Sequence, residues 1–352
     1  MNPIIKEDIE QIIKSDIEWK RFANKKVLIT GANGFLPAYM VDSLMMANKV
    51  FDLNLEIICL VRNIEKAHNR FIDYTNHKQL VFIHQDVCVP INNLHDVTFI
   101  IHAASQASPK YYGTDPVGTL KANTIGTYNL LEFSTKNPIE SFLYFSSSEV
   151  YGNTEEDYIS ENDYGYLDCN TVRACYAESK RMGETMCKSW YHQYSTGTKI
   201  VRPFHTYGPG MDLNDGRVFA DFVNNIVQNK NIVLNSDGSA KRSFCYLQDA
   251  TAAFFKILLN GKNGEAYNMG NPDTEISIWD LANTLVDMFP ERNIKATKQI
   301  NSSNDGYIHS AVSKNIPDIT KLKALSWAPS TNIEDGFKRT IRYYINESDQ
   351  II

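Results

Sequence analysis

An apolar run at Lys26–Thr30 stops at Gly31-Ala-Asn-Gly34, and residues 36–48 continue with helical periodicity. A strand that passes through so short a turn into a helix must recross the sheet, so the strand that follows lies parallel to it. Further apolar runs at Glu56–Val61, Leu80–His84, Val97–His102, 141–146 and 199–202 alternate with helical stretches. That alternation predicts an α/β chain with a doubly wound parallel sheet and helices on both faces. Beyond Arg217 the strands shorten, with helices expected at 218–228, 249–259 and 278–288 and a strand at Ile232–Leu234.

The first turn also has chemical meaning. Backbone N–H groups at a glycine turn and a helix N-terminus face the space beyond the strand and favour a phosphate. Gly31, Asn33, Gly34, Phe35 and Leu36 are therefore candidate contacts to a dinucleotide pyrophosphate. Pro37 takes the third glycine position; it lacks an N–H but is tolerated in a first helical turn, so the helix can still start here. The strand Glu56–Val61 ends in Arg62-Asn63, where an NAD site usually carries a carboxylate on the ribose hydroxyls. Arg62 can pair with the 2′-phosphate of NADP or stack on adenine, so NADP stays open beside NAD. Asp86-Val87 follows the next strand, either to bind the adenine amino group or as an ordinary loop pair. These features define a Rossmann-type dinucleotide-binding domain at 26–180, which also receives later strands such as 199–202. A smaller mixed α/β C-terminal substrate lobe, interleaved with it, is expected over 181–352.

Ile5, Ile9, Ile12, Ile13 and Ile17 recur at helical spacing, so residues 3–22 read as an amphipathic helix within an extension over 1–25. Its apolar face would suit docking or a dimer contact. The extension holds neither a signal-peptide core nor a membrane span, so a cytoplasmic location without membrane attachment is expected. A net charge of -6 offers no basic surface for a polyanion, which argues against nucleic acid as a partner. Cys59, Cys88, Cys169, Cys175, Cys187 and Cys245 include no Cys-x-x-Cys pair and no His–Cys cluster, so reduced thiols and no metal are expected.

Tyr176-Ala-Glu-Ser-Lys180 sets a phenol and an ammonium on one helical face. A nearby cation favours phenolate, so Tyr176 can take a hydroxyl proton while hydride leaves the same carbon for a nicotinamide. Ser146-Ser147-Ser148-Glu149 follows the strand 141–146, at the sheet edge where ligands sit in such folds. A serine-rich turn ending a strand is the plainer reading of that cluster taken alone.

Through Gly31-x-x-Gly34, Ser147 with Tyr176-x-x-x-Lys180, and the segment 202–209, the chain resembles the extended short-chain dehydrogenases/reductases. Within that family, segments 102–109, 116–127, 147–152, 173–176, 215–218 and 241–244 are similar to UDP-glucuronate decarboxylases, also called UDP-xylose synthases. The likeness spans about residues 26 to 345. It implies Ser147 as the hydroxyl near the reacting oxygen, Tyr176 as the base, Lys180 as ribose ligand and modulator, and Glu149 as a substrate-side carboxylate. It further implies that Ala103, Ala104, Asn123 and Pro203 line or support the cofactor site. Tyr112, Ser148, His205, Arg217 and Arg242 would meet the substrate, Arg217 at the nucleotide and Arg242 at the diphosphate. A homodimer through the Tyr176 helix and its neighbour is implied as well.

Members of this family resembling the chain first oxidise a sugar hydroxyl, usually at C4, and differ in the fate of the ketone. A 4,6-dehydratase typically carries an aspartate before the glutamate, where this chain has Ser148; a 4-epimerase usually has no carboxylate at position 149. A carboxylate β to the new carbonyl leaves as CO2, and Ser148-Glu149 matches the decarboxylases. The expectation is thus an NAD-dependent lyase of nucleotide-sugar metabolism acting on UDP-glucuronate or a related uronate, with the cofactor regenerated. The alternatives are a 4-epimerase, a 4,6-dehydratase, or a non-catalytic dinucleotide-binding regulator. His205 replaces the family's Asn and Gly210 the decarboxylases' Arg, both near the expected sugar-diphosphate pocket.

Overall fold

The computed structural model describes residues 1–299 and 314–349. Seven strands form the main sheet: β1 Lys26–Thr30, β2 Glu56–Val61, β3 Leu80–His84, β4 Val97–His102, β5 Ser141–Phe145, β6 Thr198–Pro203 and β7 Glu265–Met269. They lie in the order β3-β2-β1-β4-β5-β6-β7, and every neighbouring pair is parallel. β5 is buried along its whole length, and β1 and β2 are buried beyond their first residue, as a sheet covered on both faces requires. The strand order reverses between β1 and β4, and there a crevice opens at the carboxyl edge.

All six apolar runs of the sequence are strands of this sheet. β7 was not expected, because Glu265-Ala-Tyr-Asn-Met269, with Glu265 and Asn268 among its five residues, is too polar to stand out as an apolar run. The helix expected at 249–259 is Leu247–Asn260, and it packs on the main sheet: Leu247, Ala250, Ala253 and Phe254 share one core with Val27, Ile29 and Val201. A second core gathers Tyr207, Phe219, Phe244 and Phe337 between the helices Val218–Val227, Ile278–Asp287 and Ile333–Asp349. Its strands are short: Ile232–Leu234 pairs with Ala296–Lys298, and Lys241–Arg242 with Ile276–Ser277 and Lys314–Asn315.

The N-terminal helix ends at Lys14, short of the expected residue 22. Ser15 turns extended while its hydroxyl donates to the Ile12 carbonyl at 2.6 Å, and a 3-10 turn at Trp19–Phe22 follows. Its isoleucines Ile5, Ile9, Ile12 and Ile13, with Ile17 just beyond, are all buried in the chain's own core, so this face is used internally and is not open for docking. Asp8, fully buried, accepts from the hydroxyls of Tyr39 at 3.1 Å and Tyr246 at 2.7 Å and from the Arg339 guanidinium at 2.6 Å. The helix thereby joins the Phe35–Phe51 helix, the second core and the C-terminal helix. Among the described residues no helix is long and apolar enough to cross a membrane.

Candidate active site

The carboxyl ends of the strands open on one cleft of about 1390 Å³. Gly31, just past β1, has φ +65, and a Cβ there would lie 2.8 Å from the Ala104 Cα; glycine lets the β1 and β4 ends approach. Gly31 donates to the Leu60 carbonyl at 3.0 Å and Gly34 to the Gly31 carbonyl at 2.8 Å, which closes the turn. The Phe35–Phe51 helix starts at once with no side-chain cap, and Pro37 sits within its first turn as the sequence allowed. The N–H groups of Phe35 and Leu36 precede the first intrahelical donor, Ala38, so they are left for a ligand. With Asn33, this cradle fits the pyrophosphate of a dinucleotide.

The other candidates sit beyond successive strands: Arg62 after β2, Asp86 and Val87 after β3, Ala103 and Ala104 after β4, Ser147, Ser148 and Glu149 after β5, Pro203 and His205 at the end of β6. Tyr176 and Lys180 reach the same cleft from the helix Ala174–Tyr194, and Arg217 and Arg242 from the opposite wall. Two candidates do not line it. Asn123 is buried and donates to Ser179 Oγ at 3.0 Å, and Ser179 donates to the Tyr176 carbonyl at 2.9 Å, so Asn123 steadies the Tyr176 helix from behind. Tyr112 stacks on the Tyr176 ring, centroids 4.8 Å apart, and its hydroxyl donates to the Ala107 carbonyl. Gly210 also stays outside the cleft lining; its φ of +84 is one an arginine would adopt only with strain.

Burial pushes the Tyr176 phenol up to about 12; Glu149 adds to this, while a hydrogen bond from Ser147 and the charge of Arg217 oppose it. The drop expected from Lys180 is not seen. That ammonium is itself buried and lowered to about 7, with Glu184 opposing, and it donates to the Phe145 carbonyl at 2.6 Å. Burial also raises the Glu149 carboxyl, with Arg173 at 3.4 Å and Arg217 pulling the other way. Arg217 is held by Asp215 at 3.0 Å and by the Ala107 carbonyl at 2.7 Å. His205 is kept neutral, its pKa lowered to about 3 by burial and then by Arg242 and Arg217, and its Nδ1 has no partner among the described residues.

Sequence reasoning missed the supports of this site. Glu184, one turn past Lys180, takes a two-point contact from Arg202 at 2.9 and 2.6 Å and a hydrogen bond from Ser146, fixing the helix to the ends of β5 and β6. Lys66 and Lys121 line the cleft beside Arg62. Lys66 carried a readable signal, since it lies three residues after Asn63, a helix-capping residue type.

The model of the NAD dependent epimerase/dehydratase family matches residues 27–270. UDP-glucuronic acid decarboxylase 1 of Danio rerio is 32% identical over 326 residues, covering 92% of this chain and 73% of that protein. Among the solved structures that share the fold are two epimerases. UDP-glucose 4-epimerase of Thermotoga maritima has a TM-score of 0.77 at 23% identity, covering 92% of this chain and 99% of that one. UDP-glucuronic acid 4-epimerase of Bacillus cereus, in complex with NAD, has a TM-score of 0.74 at 23% identity, covering 91% and 96%. The glycine cradle, the strand order and the Tyr176–Lys180 helix agree with that match, and the chain belongs to the NAD dependent epimerase/dehydratase family.

Proposed function

We propose that the chain is a nucleotide-sugar decarboxylase that oxidises C4 of UDP-glucuronate or a related uronate, releases CO2 and leaves a UDP-pentose. The observation that carries this reading is the convergence of Ser147, Tyr176, Lys180 and Glu149 on the cleft that also holds the Gly31 cradle. NAD+, when bound, supplies the hydride acceptor for C4 and the hydride that later returns. Tyr176 takes the C4 hydroxyl proton, Ser147 holds the oxygen, and Lys180, fixed by the Phe145 carbonyl, supplies positive charge as phenolate forms. Once C4 is a ketone, the C5 carboxylate is β to it and leaves as CO2. Glu149, with its raised carboxyl, can hold a proton on the cleft wall for the carbon left behind. Ser148 is too weak an acid to protonate a departing hydroxyl, which favours decarboxylation over dehydration.

The reading extends to assembly and location. Val117, Leu120, Ile125 and Tyr128 on the helix Pro116–Thr135, with Met182 and Tyr194 on its neighbour Ala174–Tyr194, are exposed apolar groups that support a homodimer through this helix pair. All six cysteines are free, which supports a reducing, cytoplasmic setting. The proposed division is a dinucleotide domain around the main sheet and a substrate lobe around the second core.

Incubation of the protein and NAD+ with UDP-glucuronate, UDP-glucose and dTDP-glucose, followed by mass spectrometry, tests the reaction. UDP-glucuronate should lose one CO2. A reaction confined to the neutral hexoses would refute the proposal.

A further inference from the structure

The end of β2 lies against the glycine cradle, because Gly31 donates to the Leu60 carbonyl at 3.0 Å. Arg62 leaves the sheet two residues further on, at the position that meets the adenosine ribose in this fold class. Its backbone is held from two sides: the Arg62 carbonyl contacts His84 Nε2 at 3.0 Å, and the Val61 carbonyl accepts from Gln85 at 3.1 Å. Asn63 then caps the next segment by accepting the Lys66 N–H at 2.7 Å, which sets Lys66 on the same wall. Lys121 faces them from the helix Pro116–Thr135.

Among the described residues no ion pair engages Arg62, Lys66 or Lys121, although all three line the cleft. Asp115, which caps the helix carrying Lys121, also interacts with Arg62 and Lys121; among the described residues that line this end, the acid is Asp86. Partial burial works to raise its carboxyl, yet the Cys88 N–H, Arg62 and Lys121 together hold it below the usual range. Three cations against the carboxylates of Asp86 and Asp115 leave a net positive pocket on a chain whose net charge is -6. Neutral ribose hydroxyls would leave such a pocket poorly matched. A phosphate, by contrast, can take two N–H bonds from the Arg62 fork and point charge from the two lysines.

We propose that this end of the cleft is a subsite for a 2′-phosphate, so that the protein binds NADP+ at least as tightly as NAD+. The inference rests on the dinucleotide reading of the Gly31 cradle and deepens it. Calorimetric titration with NAD+, NADP+, 2′,5′-ADP and 5′-AMP reads it without any turnover. NADP+ should equal or exceed NAD+, and 2′,5′-ADP should bind at least about tenfold more tightly than 5′-AMP, the gain one charge-assisted hydrogen bond supplies. Arg62→Asp, at an exposed position, should reduce the preference for 2′,5′-ADP at least about tenfold while NAD+ still binds. Lys121→Ala, an independent change on another helix, should weaken 2′,5′-ADP and leave 5′-AMP unchanged. NAD+ binding with NADP+ binding more weakly overturns the subsite alone, as does an Arg62→Asp protein with the parent preference. Failure of both dinucleotides to bind overturns the cofactor reading and the subsite with it.

Discussion

The main sheet presents Gly31, Arg62, Asp86, Ala103 and Ser147 each just beyond the end of a strand, whereas Arg217 and Arg242 are set by contacts between distant segments. Lys241–Arg242 is paired with Ile276–Ser277 on one side and Lys314–Asn315 on the other, and Arg217 is held in part by the Ala107 carbonyl from across the cleft. Strand spacing positions the first group, and the seating of the second core against the sheet positions the second. Under the proposed function, hydride and proton chemistry would sit at the sheet edge, while recognition of the substrate's charged half would depend on how two cores meet. The buried Asp8 contacts, with Tyr39 on one core and Tyr246 and Arg339 on the other, help to hold that meeting.

Tyr176→Phe should have the largest effect, since it removes the only proposed base. We expect kcat to fall roughly a thousandfold with the fold intact and NAD+ still bound, checked by turnover and calorimetry. Asp8→Asn should destabilise by about 2–3 kcal/mol in denaturant unfolding, toward the low end for a broken buried pair because Arg339 is about a third exposed. Its activity loss should fall on KM for the nucleotide-sugar more than on NAD+ affinity; unchanged stability would break the idea of a brace between the cores.

A pH effect should come next. His102, in the sheet, bonds Thr30 and Thr127 at 2.8 and 3.0 Å and is lowered to about 3, first by burial and then by Lys180. Its folded pKa lies below the unfolded value, so its stabilisation is present above about pH 6.5 and is lost as pH falls toward 3. The loss from His102 should reach about 2 kcal/mol at pH 5, and His102→Gln should remove most of that slope in unfolding titrations. His205, only half-buried on the cleft wall, shifts the same way and adds less. The smallest effect is expected from His205→Asn: stability within about 0.5 kcal/mol and a few-fold change in KM for the sugar nucleotide, with kcat kept. A collapse of stability there would place His205 with the sheet scaffold.

Legibility in the sequence followed the same divide. Lys26–Thr30, Gly31 and the later apolar runs could be read because a parallel sheet buries both faces and punctuates each strand with a ligand-facing turn. Tyr176 and Lys180 were legible from helical spacing. Two helices of the second core, Val218–Val227 and Ile278–Asp287, were legible too, within a residue at their ends, but the third, Ile333–Asp349, was not read, and neither were the strand partners, since pairings such as Arg242 with Ile276 and Asn315 leave no local trace. The internal use of the N-terminal helix was hidden because an amphipathic face does not say what covers it, and Asp8 reads as one more polar position until its three partners are seen. The direction of the Tyr176 shift was missed because spacing shows a cation nearby but not the burial and the Glu149 charge that raise the phenol.

The most direct test of the central claim uses UDP-glucuronate deuterated at C4, with the purified protein and NAD+. The account predicts a UDP-pentose that has lost one CO2, keeps its deuterium at C4 and gains a solvent proton at C5. A product that retains the carboxylate, or one that loses CO2 with the C4 label washed out, would contradict it.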